Sequence, residues 1–455
     1  MTTTDIQVIN EKLIEEVKKS IGDGNKFHLM KLIDDMRPAD VADLIEHLNS
    51  DERLFILDLL EPEDAGEVLV EIEPPVQESI LNELDNQAIS EIVQELDSDD
   101  AADIVGDLPK ERAREIIEQV EDEVSEELEK LLPYPEDTAG GIMALEFVAV
   151  KADAAIHEAI EKIREKREEV ENVYYLFVID NFEKLVGVIS LKDLVIERPD
   201  RIVREIMNTK VISVDVRTDQ EEVAQVFKKY DLVSLPVVDE QNRLVGRITH
   251  DDIIDVIEEE ADEDFSRMAG VIGQEVAEES PLKISRARLP WLIAGLFGGI
   301  LAAVVINQFE SSLEKILALS FFFPVIMAMG GNTGTQAATV VVRGLATGDI
   351  NLLHIGKRIW MELKVALVNG LICGVLLGLI VSFWIKDYGL GCTVGVALIL
   401  IVLISGVIGA AVPLVLKKFD IDPALATGPF VTTSNDILSL FIYLGLVTLF
   451  LRTTA

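Results

Sequence analysis

The 455-residue sequence predicts a multidomain membrane protein: an α-helical solenoid-like amino-terminal domain, a tandem pair of α+β modules, a connecting helix and a five-helix transmembrane domain. Three observations predict it. Charge is unevenly divided, with eleven Lys and Arg against eight Asp and Glu from Arg286 onward, which leaves 29 against 73 in residues 1–285. Five long apolar segments follow Arg286, and two internal repeats of different length occupy the acidic half. The expected boundaries are 1–135, 136–200, 201–256, a connecting helix over 257–285 whose start overlaps the second module, and 286–455.

The whole chain carries a net charge of −41. Such an excess repels itself in a compact state and is relieved by bound cations. It excludes nucleic acid, whose binding needs Lys and Arg to displace phosphate counterions. For most of these carboxylates solubility alone is a sufficient role. Cys373 and Cys392 sit in apolar runs and read as packing residues, without a disulfide or zinc spacing. Met1 to Lys12 has no apolar core, so no cleavable signal peptide is expected. The five histidines are scattered and no nucleophile–base pair stands out, which argues against an enzyme.

Residues 25–132 alternate short apolar-periodic stretches with Pro, Asp and Asn, the pattern of short capped helices. Three stretches resemble one another: Pro38-Ala39-Asp40-Val41-Ala42-Asp43-Leu44, Pro62-Glu63-Asp64-Ala65-Gly66-Glu67-Val68 and Ser98-Asp99-Asp100-Ala101-Ala102-Asp103-Ile104. Such repeats suit a solenoid that presents an acidic surface.

A clearer repeat follows. Tyr175 to Asp180 and Leu185 to Leu194 recur at a constant offset as Ser234 to Asp239 and Leu244 to Ile253. Each copy places two β-branched runs around a polar turn and feeds a helix capped by Ser190 or Thr249. Upstream, Gly141-Ile142-Met143 matches Glu205-Ile206-Met207 at a wider offset than the hairpins do. A few extra residues are therefore expected in the first copy's intervening helix, around Glu161 to Glu171. Residues 138–256 resemble a pair of CBS modules. The resemblance implies an adenine-nucleotide-type cleft, with ATP or a relative as ligand and ribose contacts falling on Asp193 and Asp252; both motifs also serve as helix caps.

Asp251, Asp252, Asp255, Glu258, Glu259, Glu260, Asp262, Glu263 and Asp264 crowd the next helix. Like charges at i, i+4 oppose one another. With Asp99 and Asp103 facing them, they would hold domains apart until divalent cations bridged them. A solvated linker face is the alternative.

The apolar segments are Trp291–Ile306, Ile316–Gly330, Val365–Ile385, Val394–Leu416 and Pro423–Leu451, the first two short enough to need interfacial flanks. Lys283, Arg286, Arg288, Arg343, Lys357, Arg358, Lys364, Lys417 and Lys418 mark one side, against Lys315, Lys386 and Arg452 on the other. The amino-terminal domains are therefore expected in the cytoplasm and the carboxyl terminus outside. Gly295 and Gly299, Gly370, Gly374 and Gly378, and Gly406 with Ala410 read as packing faces. Asp436 falls near the middle of the last segment, where an ionised acid costs roughly 2.5 to 3.5 kcal/mol, so its side chain should face protein or water. Thr432, Thr433, Ser434 and Asn435 surround it with the oxygens a hard cation prefers. Packing against a neighbouring helix is the alternative role. In the second segment Met329-Gly330-Gly331-Asn332-Thr333-Gly334-Thr335-Gln336 reads as irregular backbone lining a cavity, with Gly331 and Gly334 exposing carbonyls.

Pro324-x5-Gly330-Gly331-Asn332-x-Gly334-x-Gln336, with Asp422-Pro423-Ala424-Leu425, Gly428-Pro429 and Asp436, resembles the signature of the MgtE family of magnesium transporters. The domain order agrees over essentially the whole chain. The resemblance implies a homodimer in the plasma (inner) membrane that imports Mg²⁺ through a pore of the second and fifth spans and closes when Mg²⁺ binds its cytosolic domains. The family's ion site falls on Asp436, Thr432, Gly331, Gly334 and Asn332, with Asp422 at the mouth. Its sensor residues fall on Asp99, Asp103, Asp219, Glu221, Asp231, Asp252, Asp255, Glu260, Glu263 and Asp264. Ser439 departs from the family, where many relatives have Gly. The rival readings are a carrier for Co²⁺ or Mn²⁺ and a membrane-anchored nucleotide sensor without transport.

Overall fold

The computed structural model describes residues 9–34, 36–167, 170, 172–271, 281–350, 355–419, 421–426 and 428–454. They form two compact units that divide between Ile257 and Glu258.

The first unit opens with ten helices: α1 Glu11–Gly22, α2 Lys26–Ile33, α3 Pro38–Glu46, α4 Ser50–Leu57, α5 Pro62–Val70, α6 Pro74–Glu83, α7 Asn86–Val93, α8 Ser98–Gly106, α9 Lys110–Ile117 and α10 Asp122–Leu131. From α3 to α10 the helix starts are evenly spaced along the chain. Pro at the first turn starts α3, α5 and α6, where a missing N–H costs nothing. Asn49 and Glu52 form a capping box on α4, and Asp85 caps α7. Alternate helices stack, α3 on α5 on α7 on α9 in one row and α4 on α6 and α8 on α10 in the other. Each buries a short apolar stripe, such as Leu44 and Ile45, Val68 and Leu69, or Ile104 and Val105. The solenoid expectation holds. The three similar stretches fall on α3, α5 and α8, so the third lies in the opposite row from the first two.

Two three-stranded sheets follow. β1 Ala149–Lys151, β2 Tyr175–Ile179 and β3 Leu185–Ser190 form the first, and β4 Val214–Asp215, β5 Ser234–Val238 and β6 Leu244–Thr249 the second. In both, the first pair is parallel and the second antiparallel. Helices α11 Ile156–Glu165 and α13 Gln220–Tyr230 make the crossovers, and α12 Leu191–Ile196 and α14 His250–Ala269 follow the hairpins. The extra residues of the first copy do not lengthen its helix, since α11 has 10 residues and α13 has 11. The extra length falls between α11 and β2, residues 166–174, where the second copy has only residues 231–233. The modules are interlocked: Ala144 bridges to Arg247, Val188 to Asn208 and Lys184 to Arg243.

The second unit contains α15 Pro281–Gln308, α16 Glu310–Lys315, α17 Phe323–Ala346, α18 Ile355–Ile385, α19 Tyr388–Lys418 and α20 Pro429–Thr454. Five segments are long and apolar enough to cross a membrane: Ile284–Gln308, Leu317–Ala346, Ile355–Ile385, Tyr388–Lys418 and Pro423–Thr453. Their flanks extend the first two as expected. Of the expected connecting helix, 257–285, residues 272–280 lie outside the described residues, and α14 runs unbroken from the second module to Ala269.

Two expectations change. The Gly330–Gln336 segment is not irregular; α17 continues through it, so its carbonyls lie in a helical ladder. Close packing on neighbouring helices offsets the low helix propensity of its glycines. Asp436 keeps its place near the middle of the span Pro423–Thr453, in which a 3₁₀ turn, Pro423–Ala426, precedes α20, beginning at Pro429. Gly295 and Gly299 meet nothing within 4 Å among the described residues, and the neighbouring Gly298 faces Thr433 instead. The angular step between successive helical residues separates those faces. The row Gly374 and Gly378 does pack as expected; an added Cβ would lie 2.7 Å from the Gly395 carbonyl oxygen and 3.0 Å from that of Gly391.

Candidate cation site and acidic cluster

Helix α20 seats Asp436 against α17. A Cβ added to Gly331 would lie 3.5 Å from Asp436 Oδ1 and 3.3 Å from Thr432 Cγ2, so Gly331, Thr432 and Asp436 share one surface. The carboxylate is half-buried, and among the described residues it makes no ion pair or hydrogen bond. Thr432 is exposed and Asn332 points to the exposed side of α17. Gly334 is buried on a different face, between Asn435 and Gly409, away from the exposed surface of Asp436. The geometry thus groups Asp436, Thr432 and Gly331 and separates Gly334 from them. A half-buried carboxylate with no protein partner among the described residues offers oxygen ligands with room for water, the arrangement a strongly hydrated hard cation needs.

Asp422 is not free. Its carboxylate pairs with the Arg267 guanidinium near the end of α14, and Arg267 also pairs with Glu263. Asp422 caps the following turn as well, accepting from the Ala424 N–H at 2.7 Å. Arg267 is the neighbour of Asp422 that the sequence does not announce. A lone basic residue following a run of acids was the signal, but no local pattern links residue 267 to residue 422.

In the first unit the solenoid and second CBS module meet through acids. Asp99, 8% exposed, lies beside Asp252, Asp100, Glu146 and Asp97. Burial first, then these like charges, hold its carboxyl well above the ordinary range. Burial and then Asp252, Asp97, Asp251 and Asp255 push Asp100 up to about 7. Asp252 is raised chiefly by burial, against the hydrogen bonds it accepts at 2.8 Å from the Thr249 N–H and Oγ1. Glu146 accepts from the Ser98 N–H at 3.1 Å and from Ser98 Oγ at 2.8 Å, which pins the α8 amino terminus to the first CBS module as well. Asp97, Asp100 and Glu146 were absent from the sequence-based set; only the packing of α8 reveals them.

Asp255, whose charge reaches Asp100, borders this cluster, whereas Asp219, Asp231, Glu260 and Asp264 do not join it. Asp219 caps α13, accepting from the Glu221 N–H at 2.9 Å, whereas Asp231 ends the same 11-residue helix in the left-handed region, φ 51°. The helix separates them by about 18 Å, at about 1.5 Å per residue. Asp103 and Asp255 are exposed, while Glu260 and Asp264 are half-buried on the part of α14 that belongs to the second unit. Among the described residues no three His, Cys, Asp or Glu side chains are gathered at metal-ligand spacing. Asp193 behaves as a cap partner, accepting from Ser190 Oγ at 2.6 Å, and its own N–H donates back to that hydroxyl at 3.2 Å.

Comparison with known proteins places this geometry. Residues 323–446 match the MgtE family, described as a divalent cation transporter, residues 36–137 its intracellular N domain, and residues 139–200 and 203–259 the CBS domain. The chain is 37% identical over 450 residues to the magnesium transporter MgtE of Thermus thermophilus, covering 98% of this chain and 100% of that one. This chain belongs to the MgtE family. The MgtE magnesium transporter of Bacillus subtilis is 39% identical over 334 residues, 73% of this chain and 74% of its own length. A crystal structure of the cytosolic domain of the Mg²⁺ channel MgtE in complex with ATP matches with a TM-score of 0.51 and 36% identity, over 54% of this chain and 100% of that one. The MgtE-like organisation of helical N domain, CBS pair and membrane helices is therefore the organisation of this chain.

Proposed function

We propose that the protein is a channel-like Mg²⁺ importer of the plasma membrane that closes when cytosolic Mg²⁺ is abundant. The observation that carries this is Asp436: a half-buried carboxylate with no ion-pair or hydrogen-bond partner among the described residues, beside Thr432 and Gly331, in a chain of a magnesium transporter family. Two copies, one from each protomer of a homodimer, attract a cation that keeps much of its water, because Mg²⁺ dehydrates reluctantly. Inward movement needs no chemical coupling, since the membrane potential contributes about 2.3 kcal/mol per charge per 100 mV. The basic loop pattern favours cytoplasmic amino-terminal domains and an external carboxyl terminus.

Closure follows from the acids around Asp99, Asp100 and Asp252, whose repulsion a divalent cation neutralises; α14 carries the change towards the membrane. The expected sensor residues on α14 and α13 are proposed as further, outer cation contacts. A nucleotide at the CBS pair, with Asp193 and Asp252 near ribose, is proposed from the ATP complex of the similar cytosolic domain.

The deciding experiment is flux in vesicles reconstituted with the purified full-length protein, with Mg²⁺ varied independently on each side. Saturable Mg²⁺ entry that falls as internal Mg²⁺ rises is expected. Entry of Co²⁺ or Mn²⁺ that excess Mg²⁺ leaves unchanged would favour another cation, and absence of any flux would favour a sensor without transport.

Arg267 adds a second expected result. Its guanidinium occupies the Asp422 carboxylate that a passing cation would use, so Arg267→Gln should raise Mg²⁺ flux several-fold at high internal Mg²⁺. Unchanged flux in this variant would remove Arg267 from gating.

A further inference from the structure

The face of α20 that turns away from solvent carries two polar side chains in an unusual setting. Asn435 is 0% exposed and Ser439 is 1% exposed, and neither Asn435 Oδ1 and Nδ2 nor Ser439 Oγ has a hydrogen-bond partner among the described residues. Both are aimed at glycines of α17. A Cβ on Gly334 would lie 1.8 Å from Asn435 Nδ2, and a Cβ on Gly330 would lie 2.0 Å from Ser439 Oγ. On both helices the two positions are one helical turn apart. Two small polar side chains on α20 therefore fill two successive glycine notches on α17.

Shape, not hydrogen bonding, is what these contacts supply. A buried polar group without a partner lowers stability, so the pair gains nothing from its amide and hydroxyl in this arrangement. What it does gain is register. Gly331 lies between the two notches in sequence and is the residue that meets Asp436 and Thr432. Any slide or separation of α20 along α17 that empties the notches also moves Asp436 from Gly331. Interiors resist such small shifts because packed helices occupy discrete arrangements.

We propose that Ser439 and Asn435 are positioning residues of the cation site: seated in the notches at Gly330 and Gly334, they fix the height and rotation at which Asp436 stands beside Gly331. The proposal deepens the reading of Asp436 as the ion-site carboxylate and rests on it. It gives Ser439 a defined role with Gly330 as its complement.

The test exchanges knob and notch in the full-length protein, reconstituted in vesicles, with external Mg²⁺ titrated and thermal stability in detergent measured in parallel. Gly330→Ala places a methyl where Ser439 Oγ now lies and should raise the half-saturating Mg²⁺ concentration at least several-fold. Gly330→Ala combined with Ser439→Gly restores the fit and should return it to within about twofold of the original, a reciprocal rescue by mutual packing. Gly299→Ala, on α15 where nothing lies within 4 Å among the described residues, is the control and should change neither quantity. If Gly330→Ala fails to fold, Ser439→Gly alone, which empties the notch, is titrated instead: a raised half-saturating concentration supports the proposal and an unaltered one overturns it. A double variant no better than Gly330→Ala overturns it, as does a Gly330→Ala protein with lowered stability but unaltered half-saturation, which would make the contact structural only. Retained flux in Asp436→Ala would instead defeat the reading of the ion site, whatever the exchange gives.

Discussion

Asp436→Asn should reduce Mg²⁺ flux in reconstituted vesicles by more than about 100-fold while leaving the thermal stability of the protein unchanged or higher. The substitution keeps the size of the side chain and removes only its charge. A unit charge pair about 4 Å apart is worth about 4 kcal/mol at the effective dielectric of a partly exposed site, and a divalent ion doubles that. A factor of ten in occupancy corresponds to about 1.4 kcal/mol, so even a water-separated contact accounts for two decades. Stability does not suffer, because among the described residues no cation or hydrogen-bond donor is left unpaired when the charge goes. Asp436→Ala should behave alike in flux. Flux retained within tenfold in the Asn variant would mean that the ion takes another path.

The second large effect concerns the acids between α8 and the second CBS module. Their folded-state affinity for protons exceeds that of the unfolded chain, as Asp100 shows by moving from 3.8 to about 7. A raised carboxyl binds protons more tightly when folded, so stability is greatest below the ordinary value and is lost as pH rises towards 7. At about 1.4 kcal/mol for each unit, Asp100 alone accounts for at most roughly 4 kcal/mol. In chelator, the melting temperature of the cytosolic region should therefore fall between about pH 5 and about pH 8. Millimolar Mg²⁺ competes with protons for the same oxygens, and should raise it much more at the upper pH than at the lower. Asp100→Asn should flatten the pH dependence and weaken the Mg²⁺ effect. A melting temperature independent of both pH and Mg²⁺ would remove this cluster from regulation. Calorimetry on residues 1–271 measures all three.

Much of this was legible beforehand because it depends on local pattern. The α3 to α10 array announces itself through Pro and Asx residues that start helices, and the CBS pair through a hairpin that occurs twice. The Gly330–Gln336 run misled, since glycine content speaks of a weak helix and cannot report the neighbour that stabilises it. The acidic cluster was half legible: Asp99 and Asp252 stood in the sequence reading, while Asp97, Asp100 and Glu146 join them only because Ser98, far from Glu146 in the chain, binds it.

By itself the sequence determined the parts: an acidic helical array, two CBS modules, an acidic helix and five apolar spans with one carboxylate in the last, because composition and periodicity are properties of short stretches. Only the tertiary structure decided which oxygens share a surface. Asp436 meets Gly331 and Arg267 meets Asp422 because helices distant in sequence pack side by side, and packing is set by the shapes of facing surfaces that no single stretch contains.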